Sequence, residues 1–161
     1  MSEETYYLSS ENITEMKSTE KTHFLNEKAR RREKSLGVAT GLSEIDFSIV
    51  EVEPGDESTE HHLHYHEEEC LYVLEGEATA RVGSTSYTVK AGDFVGYRKG
   101  GLAHSLKNTG DGPFRCIAVT QRMNHDVSDY PRMGKRLFRN KNLTWNMVDL
   151  TVIDRPFGAK T

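Results

Sequence analysis

His61-His62-Leu63-His64-Tyr65-His66-Glu67-Glu68-Glu69 is the stretch on which the fold turns. Four imidazoles fall within six positions, and a run of carboxylates follows at once. On a strand, successive side chains alternate between faces, so His62, His64 and His66 share one face. A row of imidazoles on one strand is a ready-made chelate. Glu69 follows a short turn and opens the next apolar run, where it can bring a carboxylate to the same point in space. Imidazole nitrogen with carboxylate oxygen suits Fe, Mn, Ni, Zn or Co rather than a thiolate-seeking metal. Taken alone, the stretch has a plainer reading. A lone strand histidine is usually a surface or core residue, Glu67-Glu68-Glu69 reads as a solvated loop, and a histidine run can be a polar edge.

The flanking sequence is what weighs against that plainer reading. Upstream, Phe47-Ser48-Ile49-Val50-Glu51-Val52-Glu53 is β-branched and partly alternating, and Pro54-Gly55-Asp56 ends it as a turn. Downstream come apolar runs at Cys70 to Leu74, Glu77 to Val82, Ser86 to Val89, Phe94 to Tyr97, His104 to Leu106 and Phe114 to Thr120. Glu75-Gly76, Gly83-Ser84 and Ala91-Gly92-Asp93 punctuate them. Short strands separated by Gly-containing turns are the signature of an all-β sandwich or barrel.

Read whole, the spacing resembles the cupin family. The family's first motif is a Gly, then His-x-His, four residues, Glu, six residues and Gly. Here Pro54-Gly55 lies upstream, His62-Leu63-His64 is followed by Tyr65-His66-Glu67-Glu68, then Glu69, then Cys70 to Glu75, then Gly76. The second motif is Gly, five residues, Pro-x-Gly, two residues, His, three residues and Asn. The chain offers Gly92, Asp93 to Tyr97, Arg98-Lys99-Gly100 and His104-Ser105-Leu106-Lys107-Asn108. Arg98 replaces the usual Pro, and one extra residue separates Gly100 from His104; neither change removes a ligand type. Leu36-Gly37 through Gly41-Leu42, Tyr72 to Glu77 and Asp129-Tyr130-Pro131 resemble one group of small single-domain cupins.

The resemblance covers residues 34–120. It implies a double-stranded β-helix, or jelly-roll barrel, of antiparallel strands. It also implies one divalent metal ion (Fe, Mn, Ni or Zn) on His62, His64, Glu69 and His104. Physical reasoning agrees: three imidazoles and a carboxylate pointing into a barrel are costly unless something satisfies them, and a divalent cation does. Four protein ligands leave up to two cis positions of an octahedron for water, O2 or a chelating substrate.

Around this set, His66 is a spare imidazole that could replace one ligand or contact substrate, and it reads equally as a solvent-facing turn residue. Tyr97 is a candidate acid, base or hydrogen-bond donor toward substrate. Arg98 and Lys99, at the expected mouth, are candidates for steering an anionic substrate, although such residues are more often simply solvated. Tyr72 should point outward if Glu69 points inward. Gly96, inside a strand, marks a bulge or a close backbone approach.

The flanks read differently. Residues 1–34 form a polar N-terminal arm, either loose or extended along a partner subunit, with a short helix expected from Leu25 to Leu36. Within it Lys28-Ala29-Arg30-Arg31-Arg32 reads as a solvated helix face. The barrel runs over 35–121. Residues 122–161 form a C-terminal arm, with a late strand from Trp145 to Ile153, packing on the barrel or on a second subunit.

The 161 residues are the size of one domain, and the net charge is -4. That balance gives no reason to expect nucleic acid or an anionic membrane as partner. No stretch has the length of a membrane span, and Met1-Ser2-Glu3-Glu4 lacks the apolar run of a secretory signal. Two cysteines, Cys70 and Cys116, fit a reducing cytoplasm, though a single disulfide stays open.

The sequence thus leads to a metal-dependent cupin acting on a small oxygen-rich molecule, with dioxygenase chemistry leading. An isomerase, lyase or decarboxylase using the metal as Lewis acid stands beside it, as does a non-catalytic binding or sensing cupin. Apolar strand faces and polar arms lead to a homodimer.

Overall fold

The computed structural model describes residues 5–154. Met1 to Glu4, read above for a signal, and the last residues of the tail, 155–161, lie outside the described residues. Helix α1 (Ser10–Glu15) precedes a hairpin of β1 (Thr19–His23) and β2 (Asn26–Ser35). The single turn α2 (Leu36–Ala39) leads into β3 (Ile45–Val52). There follow β4 (Leu63–His64), β5 (Glu69–Glu75), β6 (Glu77–Val82), β7 (Thr85–Lys90), β8 (Phe94–Tyr97), β9 (His104–Asn108) and β10 (Phe114–Gln121). The tail adds β11 (His125–Tyr130), β12 (Lys135–Asn140), β13 (Asn146–Asp149) and a 3-10 turn at Leu150–Val152.

All pairings between strands are antiparallel. One face of the barrel is β1-β2-β3-β10-β5-β8. The other consists of β7-β6-β9 and β4-β11-β12-β13, stitched together by a bridge between His62 and His104. This is the jelly-roll, double-stranded β-helix expected from the sequence. Among the described residues, no helix is long and apolar enough to cross a membrane.

Alternation sorts the interior into layers. Val50 and Val52 on β3, Leu71 and Val73 on β5, and Phe114 and Cys116 on β10 point inward. Ala78 and Ala80 on β6, Val89 on β7 and Leu106 on β9 close the same core. Following β10 in register, Cys116 pairs with Val50 and Val73, Ala118 with Ser48 and Leu71, and Thr120 with Asp46 and Glu69. The barrel is therefore apolar at one end and polar at the other. At the apolar end Asn108 is fully buried, and its Nδ2 donates to the carbonyls of Val52 and Gly112 at 2.8 and 2.9 Å. Gly76 is required there: its φ is +80°, and a Cβ would stand 2.6 Å from the Pro113 carbonyl oxygen.

The arms differ from the expectation in both flanks. Residues 26–35 form strand β2, not the helix expected over Leu25 to Leu36, and the short helix of the arm is α1. Lys, Arg and Glu favour a helix intrinsically, but here sheet pairing wins. β2 pairs with β1 on one side and β3 on the other, and alternation buries Ala29 and Glu33. Arg32 pairs with Glu51 and Glu53 across the sheet, and Lys21 pairs with Glu33. The basic run is thus a strand whose faces differ, not a solvated helix face. The late strand is shorter than Trp145 to Ile153, and the tail folds back on its own barrel through Ser128–His64 and Asp129–Leu63 pairs. Cys70 and Cys116 are both free thiols.

Candidate metal centre

The polar end of the barrel gathers His62, His64, Glu69 and His104. The amides of His62 and His104 donate to each other's carbonyls at 3.0 and 2.7 Å, which sets the start of the His-x-His segment against β9. Glu69 shares its strand face with Leu71 and Val73, so β5 delivers its carboxylate inward. His62 Nε2 lies 3.1 Å from His64 Nε2, and His104 Nε2 lies 2.9 Å from Glu69 Oε2. Glu69 also stands 3.5 Å from His62 Nε2 and 3.7 Å from His64 Nε2. Ligand atoms of His62, Glu69 and His104 all fall within 4.8 Å of one another. His64 joins the group through His62 and Glu69.

The rear of each ring decides what its front can do. His62 Nδ1–H donates to the Glu60 carbonyl at 2.7 Å, and His64 Nδ1–H donates to Asp126 Oδ2 at 2.5 Å. The proton on each neutral ring is therefore behind, and the Nε2 lone pairs face each other at 3.1 Å. That arrangement is repulsive unless a proton or a metal ion lies between them. Two donors about 2.1 Å from one ion, at right angles, stand about 3.0 Å apart. The donor types and spacings therefore fit a divalent transition metal with nitrogen and carboxylate ligands.

Charges around the site are strongly coupled. Burial acts to raise the Glu69 carboxyl, but the surrounding imidazoles hold it well below its usual range. Asp126 is likewise opposed by burial, yet His64, Ser128 and the His66 amide bring it down to about 2. Burial tends to lower His64, but Asp126, Glu69 and Glu67 raise it on balance. Burial lowers His104. Thr120 Oγ1 donates to Glu69 Oε1 at 3.1 Å and steadies the carboxylate.

A second group, His64, Glu67 and Asp126, also brings its atoms together. It already has its countercharge. Arg139 pairs with Glu67, the Met123 amide donates to Glu67 at 2.7 Å, and Ser128 Oγ donates to Asp126 at 2.9 Å. This network braces His64 from behind.

The other residues singled out from sequence separate clearly. Tyr97 lines the cavity over the site, its ring stacked on His104 at 3.7 Å, and its hydroxyl is buried without a hydrogen-bond partner among the described residues. His66 is exposed, its ring 5.3 Å from His125, and it does not line the cavity. Arg98 is also exposed and outside the cavity lining. There the Gly101 amide donates to the Arg98 carbonyl, so Arg98 serves the turn through its backbone. Tyr72 points outward.

Sequence reasoning missed Asp126, Glu67, Tyr130, Arg139 and His23. Tyr130 stacks on His62 at 5.9 Å. The signal present was alternation in β11, which puts Asp126, Ser128 and Tyr130 on one face. The cavity measures about 280 Å³ and is lined by the four candidate ligands together with Arg31, Ser48, Thr59, Arg122, Arg139 and Trp145.

A jelly-roll barrel whose polar end gathers three imidazoles and a carboxylate defines a class, and comparison with known proteins agrees. The family described as "Cupin domain" matches residues 48–120. The crystal structure named "Putative sugar phosphate isomerase" from Acidithiobacillus ferrooxidans is 43% identical, with 94% of this chain and 96% of that chain covered and a TM-score of 0.91. The chain belongs to the cupin family. A sugar phosphate isomerase of the cupin superfamily from Silicibacter pomeroyi shares the fold at 22% identity, over 94% of this chain and 97% of that one, with a TM-score of 0.78. A "predicted oxalate decarboxylase" from Thermotoga maritima shares it at 22% identity, over 69% and 96%, with a TM-score of 0.58. No curated protein matches the chain.

Proposed function

We propose that His62, His64, Glu69 and His104 hold one divalent metal ion, and that the chain is a metal-dependent isomerase of small hydroxylated carbonyl compounds of the sugar phosphate class. The observation that carries the metal is the pair of back-side hydrogen bonds. They leave the Nε2 lone pairs of His62 and His64 facing one another beside a carboxylate. The substrate class is supported by the 43% identical relative, which matches over nearly the whole length of both chains.

When bound, the ion supplies Lewis acidity toward a carbonyl or hydroxyl oxygen. The chain's own residues do the rest. Asp126 and the Glu60 carbonyl fix the orientation of the ligating rings. Tyr97 and Tyr130 wall the cavity and keep water from its sides. Arg31 spends two of its donors on the Ser58 carbonyl and Glu33, at 2.6 and 3.2 Å, which leaves part of its guanidinium for an anion. A homodimer belongs to this reading too, supported by the exposed apolar side chains of Val38, Leu42, Leu143 and Trp145.

The test is elemental analysis of untagged protein beside a His62→Ala, His104→Ala double variant. Both are then assayed for aldose–ketose interconversion across a panel of sugar phosphates. The expected result is close to one metal ion per chain and turnover of at least one substrate, both lost in the variant. No metal after anaerobic loading with Fe, Mn, Ni and Zn would sink the metal site. Bound metal with oxygen uptake instead of isomerisation would move the chain to dioxygenase chemistry. Metal and ligand binding without turnover would make it a binding or sensing protein.

A further inference from the structure

One imidazole in the cavity wall comes from outside the region matched to the cupin family. His23 ends β1, at the tip of the β1–β2 hairpin, and it lines the cavity together with Phe24. The hairpin does not hang free. Asn26 Nδ2 donates to Glu60 Oε2 at 2.7 Å, the Glu57 amide donates to the Lys28 carbonyl at 2.9 Å, and Arg31 Nη1 donates to the Ser58 carbonyl at 2.6 Å. These bonds clamp the hairpin onto the segment that leads into His62, so His23 is held in place before any ligand arrives.

The local chemistry fixes its tautomer. The Leu25 amide donates to His23 Nδ1 at 3.2 Å. That nitrogen must be bare, so the proton of the neutral ring sits on Nε2. No described group accepts from Nε2, and His23 forms part of the cavity wall. The ring is wedged between Phe24 at 4.5 Å and Tyr130 at 5.4 Å, and Tyr130 itself stacks on His62. Burial, with help from His62 and Arg31, lowers the imidazole to about 4, so it stays a neutral donor at ordinary pH.

We propose that His23 is a substrate-contacting residue whose Nε2–H donates to an oxygen of the molecule held in the cavity, with Phe24 covering that molecule on the outer side. This rests on the reading of the cavity as a substrate chamber. A polyhydroxylated molecule presents oxygens away from the metal, and a fixed neutral donor can select among them without adding charge. His23 therefore bears on specificity.

The test uses the full, metal-loaded chain with 6-phosphogluconate as probe. That compound has the hydroxyls and phosphate of an open-chain sugar phosphate, with a carboxylate in place of the aldehyde and so no aldehyde or ketone to isomerise. Its affinity is measured by calorimetry for the unaltered protein, His23→Leu and His23→Gln, with metal content and melting temperature alongside. His23→Leu should bind about tenfold more weakly with metal content and melting temperature unchanged, the expected loss of one neutral hydrogen bond. His23→Gln, which restores an N–H at similar reach, should recover most of the affinity. Equal affinity in all three proteins overturns the role of His23 and leaves the chamber reading standing. Equal loss in both variants, together with metal or melting temperature, makes His23 structural and overturns it as well. An unaltered protein that holds metal but takes no 6-phosphogluconate overturns both.

Discussion

The four candidate ligands and the groups behind them come from different parts of the chain. His62, His64, Glu69 and His104 all lie within residues 48–120, the region matched to the cupin family. Asp126, Ser128, Tyr130 and Arg139, which brace them, lie on β11 and β12 beyond it. His23 and Arg31 reach the same cavity from the hairpin ahead of it. The barrel therefore sets which atoms can meet at its polar end. The flanks set how firmly His64 is held, which tautomer it keeps and what else the cavity offers, while His62 takes its tautomer from Glu60 inside the matched region. A family match over the barrel speaks to the chelate and says little about its surroundings.

The largest effect should come from the barrel alone. Phe114 is fully buried at the apolar end, in the layer beyond Cys116. Phe114→Ala removes a ring from a packed core and leaves a cavity, at a cost of about 3–5 kcal/mol. Urea unfolding of metal-free protein checks the figure. Folded Phe114→Ala should still take up metal as the unaltered protein does, because two layers of side chains separate the ring from Glu69. Loss of metal binding in the folded variant would mean that the two ends of the barrel are coupled and that the division drawn above fails.

Asp126→Asn tests the flank. It keeps the shape and the contact with Ser128 but removes the carboxylate that accepts from His64 Nδ1. Loss of such a partner behind a ligating ring typically lowers metal affinity by about 10–100-fold. Competition with a chromophoric chelator reads this directly. Unchanged affinity would reduce the tail to packing and leave the barrel to determine the chelate unaided.

The same division governs what could be read from the sequence. The His-x-His and Glu69 spacings are local, and strand alternation turns them into a shared direction, so the candidate ligands and the barrel were legible together. Glu67 was not. Its sequence neighbours are Glu68 and Glu69, which make it look solvated, yet it is 1% exposed because Arg139, far along the chain, neutralises it. β2 departs from the expected helix for a related reason. Lys28-Ala29-Arg30-Arg31-Arg32 carries helix-forming residues, and pairing with β1 and β3, with Glu51 and Glu53 set against Arg32, makes the extended conformation favourable. His23 carried no motif at all. It ends β1 just before a two-residue turn, and its place in the cavity depends on how the hairpin docks against Glu57 and Glu60. Arg98 failed in the opposite direction: it occupies a motif position, but its side chain faces solvent.

The smallest effect concerns the flank where it does not touch the candidate ligands. Asp129 accepts from Arg136 Nε at 2.6 Å and from the Tyr65 hydroxyl at 2.8 Å, and the Arg136 guanidinium lies over the Tyr65 ring at 5.2 Å. This group ties the tail to the loop between His64 and Glu69. Burial works against the Asp129 carboxylate, but Arg136 and Tyr65 outweigh it and hold its titration below the usual range. Hydrogen bonds to a charged group of this kind contribute about 1.5–3 kcal/mol, and part exposure here favours the low end. Asp129→Asn should therefore lower stability by about 1–2 kcal/mol and leave metal content unchanged. The sign of its pH dependence follows from the depressed titration. The advantage of Asp129 over Asn is complete above the unfolded-state value of about 3.9, and it fades as pH falls through the lower folded-state value. Urea unfolding at about pH 7, 5 and 3 should give equal gaps at the first two and a smaller gap at the last. A gap that persists undiminished at the lowest pH would mean that the carboxylate charge contributes nothing. The tail would then be held on the barrel by β11–β4 pairing and shape, and its electrostatic work would be confined to the network behind His64.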